Sequence, residues 1–365
     1  MGPRLHSFEV LFSFNGRTDG YGPMAGLLAD KAGNLYGTTL GAGSGGCGTV
    51  FKLAPDGTFT VLHNFAAGAD GDGPVAGLVS DAAGNLYGTT ESGGGPIGGG
   101  IVFKVTPDGT ETVLHSFGGK GDGSFPQGGL VLVNGNLYGT TFYGGRAGRG
   151  IVFQVTPDGN ETVIYSFLKA GNPWASLIAD QAGNLYGTAY DDGAHYLGAI
   201  FEVSPTEQGK FRGRVLRSFT RQHNDGGNPR GTLALDKAGN LYGTSSFFGA
   251  NGVGNIFKLA PDRQLTVLYS FTVGNGYAPY GGVIADAAGN LYGTTSAGGA
   301  GGVGAIYEVA PDGAETVLHS FTGGGDGGVP MGSLITDDAD QQGYLYGTTS
   351  EGGTNGAGSV FRIRK

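Results

Sequence analysis

Between residues 127 and 280 the chain gathers side chains that can grip a polar ring and move protons. They are Gln127, Tyr143, Arg146, Arg149, Trp174, Tyr190, Asp191, Asp192, His195, Tyr196, His223, Asp225, Arg230, Phe247, Phe248 and Tyr280. Aromatic faces stack on the CH faces of sugars, and guanidinium groups fork to hydroxyls or to a carboxylate. Three arginines, Arg146, Arg149 and Arg230, suit a uronate, because lysine lacks the planar fork. An acidic polysaccharide is therefore the expected ligand. Two reactions fit the residue types. In a lyase, Tyr190, His195 or Tyr196 would take the proton alpha to the carboxylate while Arg230 neutralises the developing enolate. In a hydrolase, two carboxylates flank the glycosidic oxygen at roughly 5 to 9 Å. Asp191 and Asp192 are adjacent, so a second acid such as Asp225 would be needed. A non-catalytic glycan-binding surface needs only Trp174, the tyrosines and polar loop groups, and a protein-interaction scaffold would use Phe142, Phe247 and Phe248. These alternatives stay open at this point.

The elements that must position these residues are written repeatedly. LYGTT starts at Leu35, Leu86, Leu137, Leu291 and Leu345, with LYGTA at Leu185 and LYGTS at Leu241. Successive leucines are 51, 51, 48, 56, 50 and 54 residues apart, close to the period of about 50 of a four-stranded propeller blade. One whole unit, GLVSDAAGNLYGTTESGGGPIGGGIVFKVTPDGTETVLHSF from Gly77 to Phe117, reads as four strands: A (GLVSD), B (NLYGTT), C (GIVFKV) and D (ETVLHSF). Each is rich in β-branched and aromatic residues and bounded by turn formers. The A–B and C–D connections are tight turns. The B–C and D–A connections are long and glycine-rich, and they share the opposite rim, where binding residues are expected.

Strand C occurs seven times, but the chain stops at Lys365 before a seventh strand D. FEVLFSF, Phe8 to Phe14, matches ETVLHSF position by position, so the N-terminus should supply the outer strand of the last blade and remove the open edge. The expected fold is one all-β domain over residues 1–365, a seven-bladed β-propeller of four antiparallel strands per blade. Blades 1–6 lie within 24–321, and 332–363 with 8–14 complete blade 7. NLYGTT followed by GG, then G-V/I-F-K-V and PDG-x-ETVLHSF, resembles the GloVer repeat family of bacterial extracellular proteins. The resemblance covers essentially the whole chain. It implies a propeller and an exported or surface-displayed bacterial protein, and it carries no reaction and no catalytic residues.

Seven copies act as an internal control: what recurs is scaffold, and what differs needs another reason. The entry into strand A, beside the central channel, is Met24, Val75, Gln127, Trp174, Arg230, Tyr280 and Met331 in chain order. Three are apolar, and the four in consecutive blades suggest a one-sided pocket. The B–C loops agree, since blades 1, 2, 6 and 7 carry mostly Gly, Ser and Ala, whereas FYGGRAGRG, YDDGAHYLG and SFFGANGVG mark blades 3 to 5. The D–A loop from Phe167 to Leu177 is the shortest and should leave a notch beside Trp174, the single tryptophan. His63, His115 and His319 share a strand-D position and are read as packing residues. The Asp-Gly turns of the D–A loops could ring a calcium ion, but Asp before Gly ordinarily closes its own turn. No cofactor or metal is expected.

Composition removes other classes. Glycine supplies 78 residues without a G-X-Y period, and apolar residues are 39%, so collagen-like and disordered readings fail. The 30 acidic against 21 basic side chains disfavour nucleic acid and anionic membranes as partners. No run of about 18 apolar residues predicts a membrane span, and Cys47 is alone, so no intrachain disulfide forms. No Walker, HExxH, CxxC or G-x-S-x-G motif is present. A soluble monomer is expected.

Overall fold

The computed structural model describes residues 7–119, 121–168, 171–191, 193, 195–220, 222–336 and 343–365. Among them are seven four-stranded antiparallel sheets, each one blade. Blade 2 runs Val79–Ser80, Leu86–Thr90, Ile101–Val105, Glu111–Ser116 from the channel outward, and the other blades repeat it. In blade 7, Ile335–Thr336, Tyr344–Thr349 and Ser359–Arg364 are completed by Phe8–Ser13, whose Phe8 pairs with Ile363 and Ser13 with Ser359. The closure expected from FEVLFSF is thus the observed one. A short extra ribbon, Gly123–Ser124 with Tyr143–Gly144, stands above blade 3.

Packing explains the pentapeptide. The strand-C aromatic of every blade, Phe51, Phe103, Phe153, Phe201, Phe257, Tyr307 or Phe361, is buried. Its ring lies across the glycine of LYGT: a Cβ on Gly37 would stand 2.6 Å from Phe51, and one on Gly88 2.6 Å from Phe103. Only glycine lets the ring approach so closely. The leucine of the same motif is buried in each blade. The tyrosine serves the A–B turn, where Asp81 accepts bonds from the Ala83 and Asn85 amides, the Asn85 side chain and the Tyr87 hydroxyl. The same set recurs at Asp30, Asp180, Asp236 and Asp286. Burial and the adjacent carboxylate push the Tyr87 hydroxyl up to about 12.

The first threonine after the glycine joins blades. Thr38, Thr89, Thr244 and Thr294 donate to the backbone carbonyls of Ala76, Gly128, Gly281 and Gly332 at the next strand-A entry. Thr348 donates to Ala25 and so ties blade 7 to blade 1. Strand D carries a β-bulge in all seven blades, which raises its twist and re-aims the side chains beyond it. There His63, His115 and His319 lie edge-on to Phe65, Phe117 and Phe321. Each also bonds, through Nε2, the loop aspartate seven residues on: Asp70 at 3.0 Å, Asp122 at 3.2 Å and Asp326 at 3.1 Å. These histidines therefore pack and fasten the D–A loop together.

Candidate site at the channel mouth

All seven strand-A entry positions line one cavity of about 340 Å³ at the mouth of the channel. Met331, Met24, Leu40 and Val75 give it an aliphatic arc, and Gln127, Trp174, Arg230 and Tyr280 give the other arc. The entries are set by X-Pro steps. In blades 4 and 5 the residue before proline is Asn172 (φ 58°) and Asn228 (φ 52°), a left-handed conformation that asparagine tolerates better than most residues. Each amide side chain then reaches back to the preceding B–C loop: Asn172 Nδ2 donates to Phe142 O at 2.9 Å, and Asn228 Nδ2 to Tyr190 O at 3.0 Å. Those two bonds bring Phe142 edge-on to Trp174 at 5.3 Å and Tyr190 beside Arg230.

The result is a cage. The Arg230 guanidinium carbon lies 4.5 Å from the Trp174 ring centroid, 4.7 Å from Tyr280 and 4.9 Å from Tyr190. Cation–π attraction holds it at about 0.5–2 kcal/mol per good contact. Its Nε has no hydrogen-bond partner. Phe247 extends the ring set, 6.5 Å from Tyr280. Asp191 follows Tyr190 and donates its amide to Gly171 O. Burial lifts its carboxyl above the usual range, against the pull of the Arg149 and Arg230 charges. Gln127 Nε2 donates to Glu91 Oε2 at 3.0 Å.

Several expected residues stand apart from this cavity. Arg146 and Arg149 are exposed in the B–C loop of blade 3, and Tyr143, 49% exposed, sits on the extra ribbon. His195, Tyr196 and His223 are exposed on loops and do not line the mouth. Phe248 packs with Leu197, Phe219 and Leu233. Asp225, 1% exposed, accepts from the Thr220 amide and hydroxyl and lies 3.7 Å from Arg217, the arginine counterpart of the histidine–aspartate fastening. Asp192 lies outside the described residues, as do Lys169 and Ala170 of the short loop expected to form a notch.

Sequence reasoning missed Glu91, Asn172 and Asn228. The asparagines had a signal: Asn-Pro occurs only at the entries to blades 4 and 5, against Gly-Pro, Phe-Pro, Ala-Pro and Val-Pro elsewhere. Among the described residues, one group of metal-ligating side chains converges, His115, Asp122 and Glu161, with ligand atoms within 4.8 Å of one another. His115 and Glu161 sit on outer strands and Asp122 on the D–A loop, where it already accepts from the Gly118 and Gly123 amides. The other Asp-Gly carboxylates likewise cap their own loops, as Asp70 does at Ala66 and Asp326 at Thr322.

Fold and mouth together define a seven-bladed β-propeller with one caged arginine at the channel entrance. Comparison with family models is specific: the Gloeobacter/Verrucomicrobia repeat matches residues 1–201 and 168–361. The chain belongs to that family. No curated protein matches it in sequence. Among solved structures it is similar to virginiamycin B lyase from Staphylococcus aureus, at 12% identity over 99% of both chains with a TM-score of 0.63. A streptogramin B lyase follows at 14% identity over 98% of this chain and 97% of that one, TM-score 0.64. A puromycin-hydrolyzing peptidase of Mycobacterium tuberculosis matches 95% of this chain and 52% of its own, at 12% identity and TM-score 0.59. At such identities the likeness is one of fold, and propellers host binders and enzymes alike. No helix among the described residues is long and apolar enough to cross a membrane.

Proposed function

We propose that this protein is an extracellular, monomeric glycan-binding propeller whose mouth takes a uronate residue of an acidic polysaccharide. The observation that carries the reading is the caged Arg230. Three rings fix the guanidinium in place, and no acid among the described residues lies within salt-bridge distance of it, so its terminal NH₂ groups are preorganised to fork to a carboxylate at little entropic cost. The sugar ring stacks on the exposed part of Trp174 and its neighbours. Binding is preferred to cleavage because, of the acid–base candidates among the described residues, Tyr190 alone packs against Arg230, while His195 and Tyr196 are exposed away from it.

The test is calorimetric titration with uronate-containing and neutral oligosaccharides. Trp174→Ala should weaken uronate binding about 5- to 150-fold, equivalent to roughly 1–3 kcal/mol, with the thermal midpoint little changed. Arg230→Lys should weaken the uronate and spare the neutral sugar. Unaltered affinities in both variants would move the site elsewhere. Appearance of unsaturated-uronate absorbance on incubation, lost in Tyr190→Phe, would instead establish a lyase.

A further inference from the structure

Arg230 is not the only unpaired charge at the mouth. Glu91, on the B–C connection of blade 2, lines the same cavity and is half-buried. Among the described residues it has no ion pair with any basic side chain, and no acid lies within salt-bridge distance of Arg230. The two charges sit two blades apart, Glu91 against the entry to blade 3 and Arg230 at the entry to blade 5, and they form no ion pair with each other.

The bond between Glu91 and Gln127 also fixes what that wall can offer. A carboxylate only accepts, so Gln127 must turn its NH₂ toward Glu91 Oε2, 3.0 Å away. That leaves Glu91 Oε1 and Gln127 Oε1 as acceptors and one N–H of the Gln127 amide as a donor. One wall of the cavity thus offers chiefly acceptors with a negative charge, and the other offers donors with a positive charge. Partly enclosed charges lose water and gain most from a ligand that pairs each of them.

Resting on the reading of the mouth as a uronate site, we propose that Glu91 and Gln127 form its second half and recognise an ammonium group, so that the ligand is a zwitterionic amino sugar acid. The carboxylate goes to Arg230, the ring to Trp174, and the ammonium to Glu91. A single amino hexuronate matches a cavity of about 340 Å³, at the small end of ligand pockets.

The experiment uses the whole protein and three matched probes, glucuronate, glucosamine and 2-amino-2-deoxyglucuronate, titrated at pH 6, where an amine of this type is protonated and the carboxylate ionised. The amino acid sugar should bind about tenfold or more tightly than glucuronate, the scale of one charge-assisted bond. Glu91→Gln, which is isosteric, should bring that ratio close to one. Arg230→Lys should weaken both acids and leave the ratio. A wild-type ratio near one, or a ratio unchanged in Glu91→Gln, overturns the proposal while leaving the uronate site standing. Failure of wild type to bind glucuronate or the amino acid sugar at all overturns both.

Discussion

The ring has two kinds of seam between blades. At five seams the threonine of the repeated pentapeptide reaches across and bonds the next strand-A entry, through Thr38, Thr89, Thr244, Thr294 and Thr348. At the other two, Thr140 and Thr188 are buried, each 1% exposed, and have no partner. Those two seams lead to Trp174 and Arg230. The seam that leads to Tyr280, the third entry at the cage, keeps the clip through Thr244, whereas the seams that lead to Trp174 and Arg230 have given it up. In its place Asn172 and Asn228 fasten the loops above. Residues that recur in the repeat therefore report stability, and the blades where a clip is missing are where the molecule has another demand. Native proteins break a local rule in this way mainly at functional sites.

The most severe way to break the clipped side is to remove its closing strand. Deleting residues 1–14 strips Phe8–Ser13 from Ser359–Arg364 and removes the buried Phe14. It also exposes an unpaired edge. The truncated protein should lose more than about 5 kcal/mol, the scale of two or more buried aromatics, and aggregate on mild heating. A thermal midpoint like that of the full chain would show that the ring closes without this strand.

A smaller and sharper contrast uses one substitution at both kinds of seam. Thr348→Val removes the donor to Ala25 and leaves that carbonyl unpaired, which should cost about 1–2 kcal/mol in chemical denaturation. Thr188→Val removes a buried hydroxyl that has no partner, so its effect should be near zero or stabilising. Equal losses at the two positions would mean that the clip does not distinguish the seams.

Much of this was legible in the sequence, and the misses have physical causes. Phe8 to Phe14 could be assigned because outer strands share one pattern wherever they stand in the chain. GLVSD predicts a five-residue strand A, whereas Val79–Ser80 alone joins the ladder. The entry is crowded against neighbouring backbone, with a Cβ on Gly77 only 3.2 Å from Gly26 O, so pairing with strand B begins later. The caged arc was visible because seven copies of one position could be compared. Glu91 escaped because it lies in a loop of small residues on the side of the ring that looked uniform. Nearness in sequence groups His195 and Tyr196 with Tyr190, yet Tyr190 stands beside Arg230 while those two are exposed.

The last expected effect concerns pH and a third kind of seam residue. The first position of strand D is Phe8, Phe59, Phe211 or Leu265 in four blades and Glu111, Glu161 or Glu315 in three. Where it is aromatic it meets a ring of the preceding blade: Phe59 stacks on Phe12 at 4.0 Å and Phe8 on His319 at 3.9 Å, and Phe211 lies edge-on to Tyr138 at 6.1 Å. Where it is glutamate, one carboxylate oxygen is buried without a partner. Burial, helped by the Asp70 charge, pushes the Glu111 carboxyl up to about 7. The native protein therefore holds a proton between about pH 4.5 and 7 that the unfolded chain has released. Stability contributed by that proton is complete below the unfolded value and falls as pH rises through 7. Screening at a half-buried site limits the loss to about 1–2 kcal/mol. Glu111→Gln keeps the shape and removes the titration, so relative to wild type it should gain stability at pH 8 and little at pH 4.5. Paired denaturation curves at the two pH values cancel the groups common to both proteins. An equal offset at pH 4.5 and pH 8 would mean that Glu111 ionises normally, and that glutamate serves this seam as well as phenylalanine does in the others.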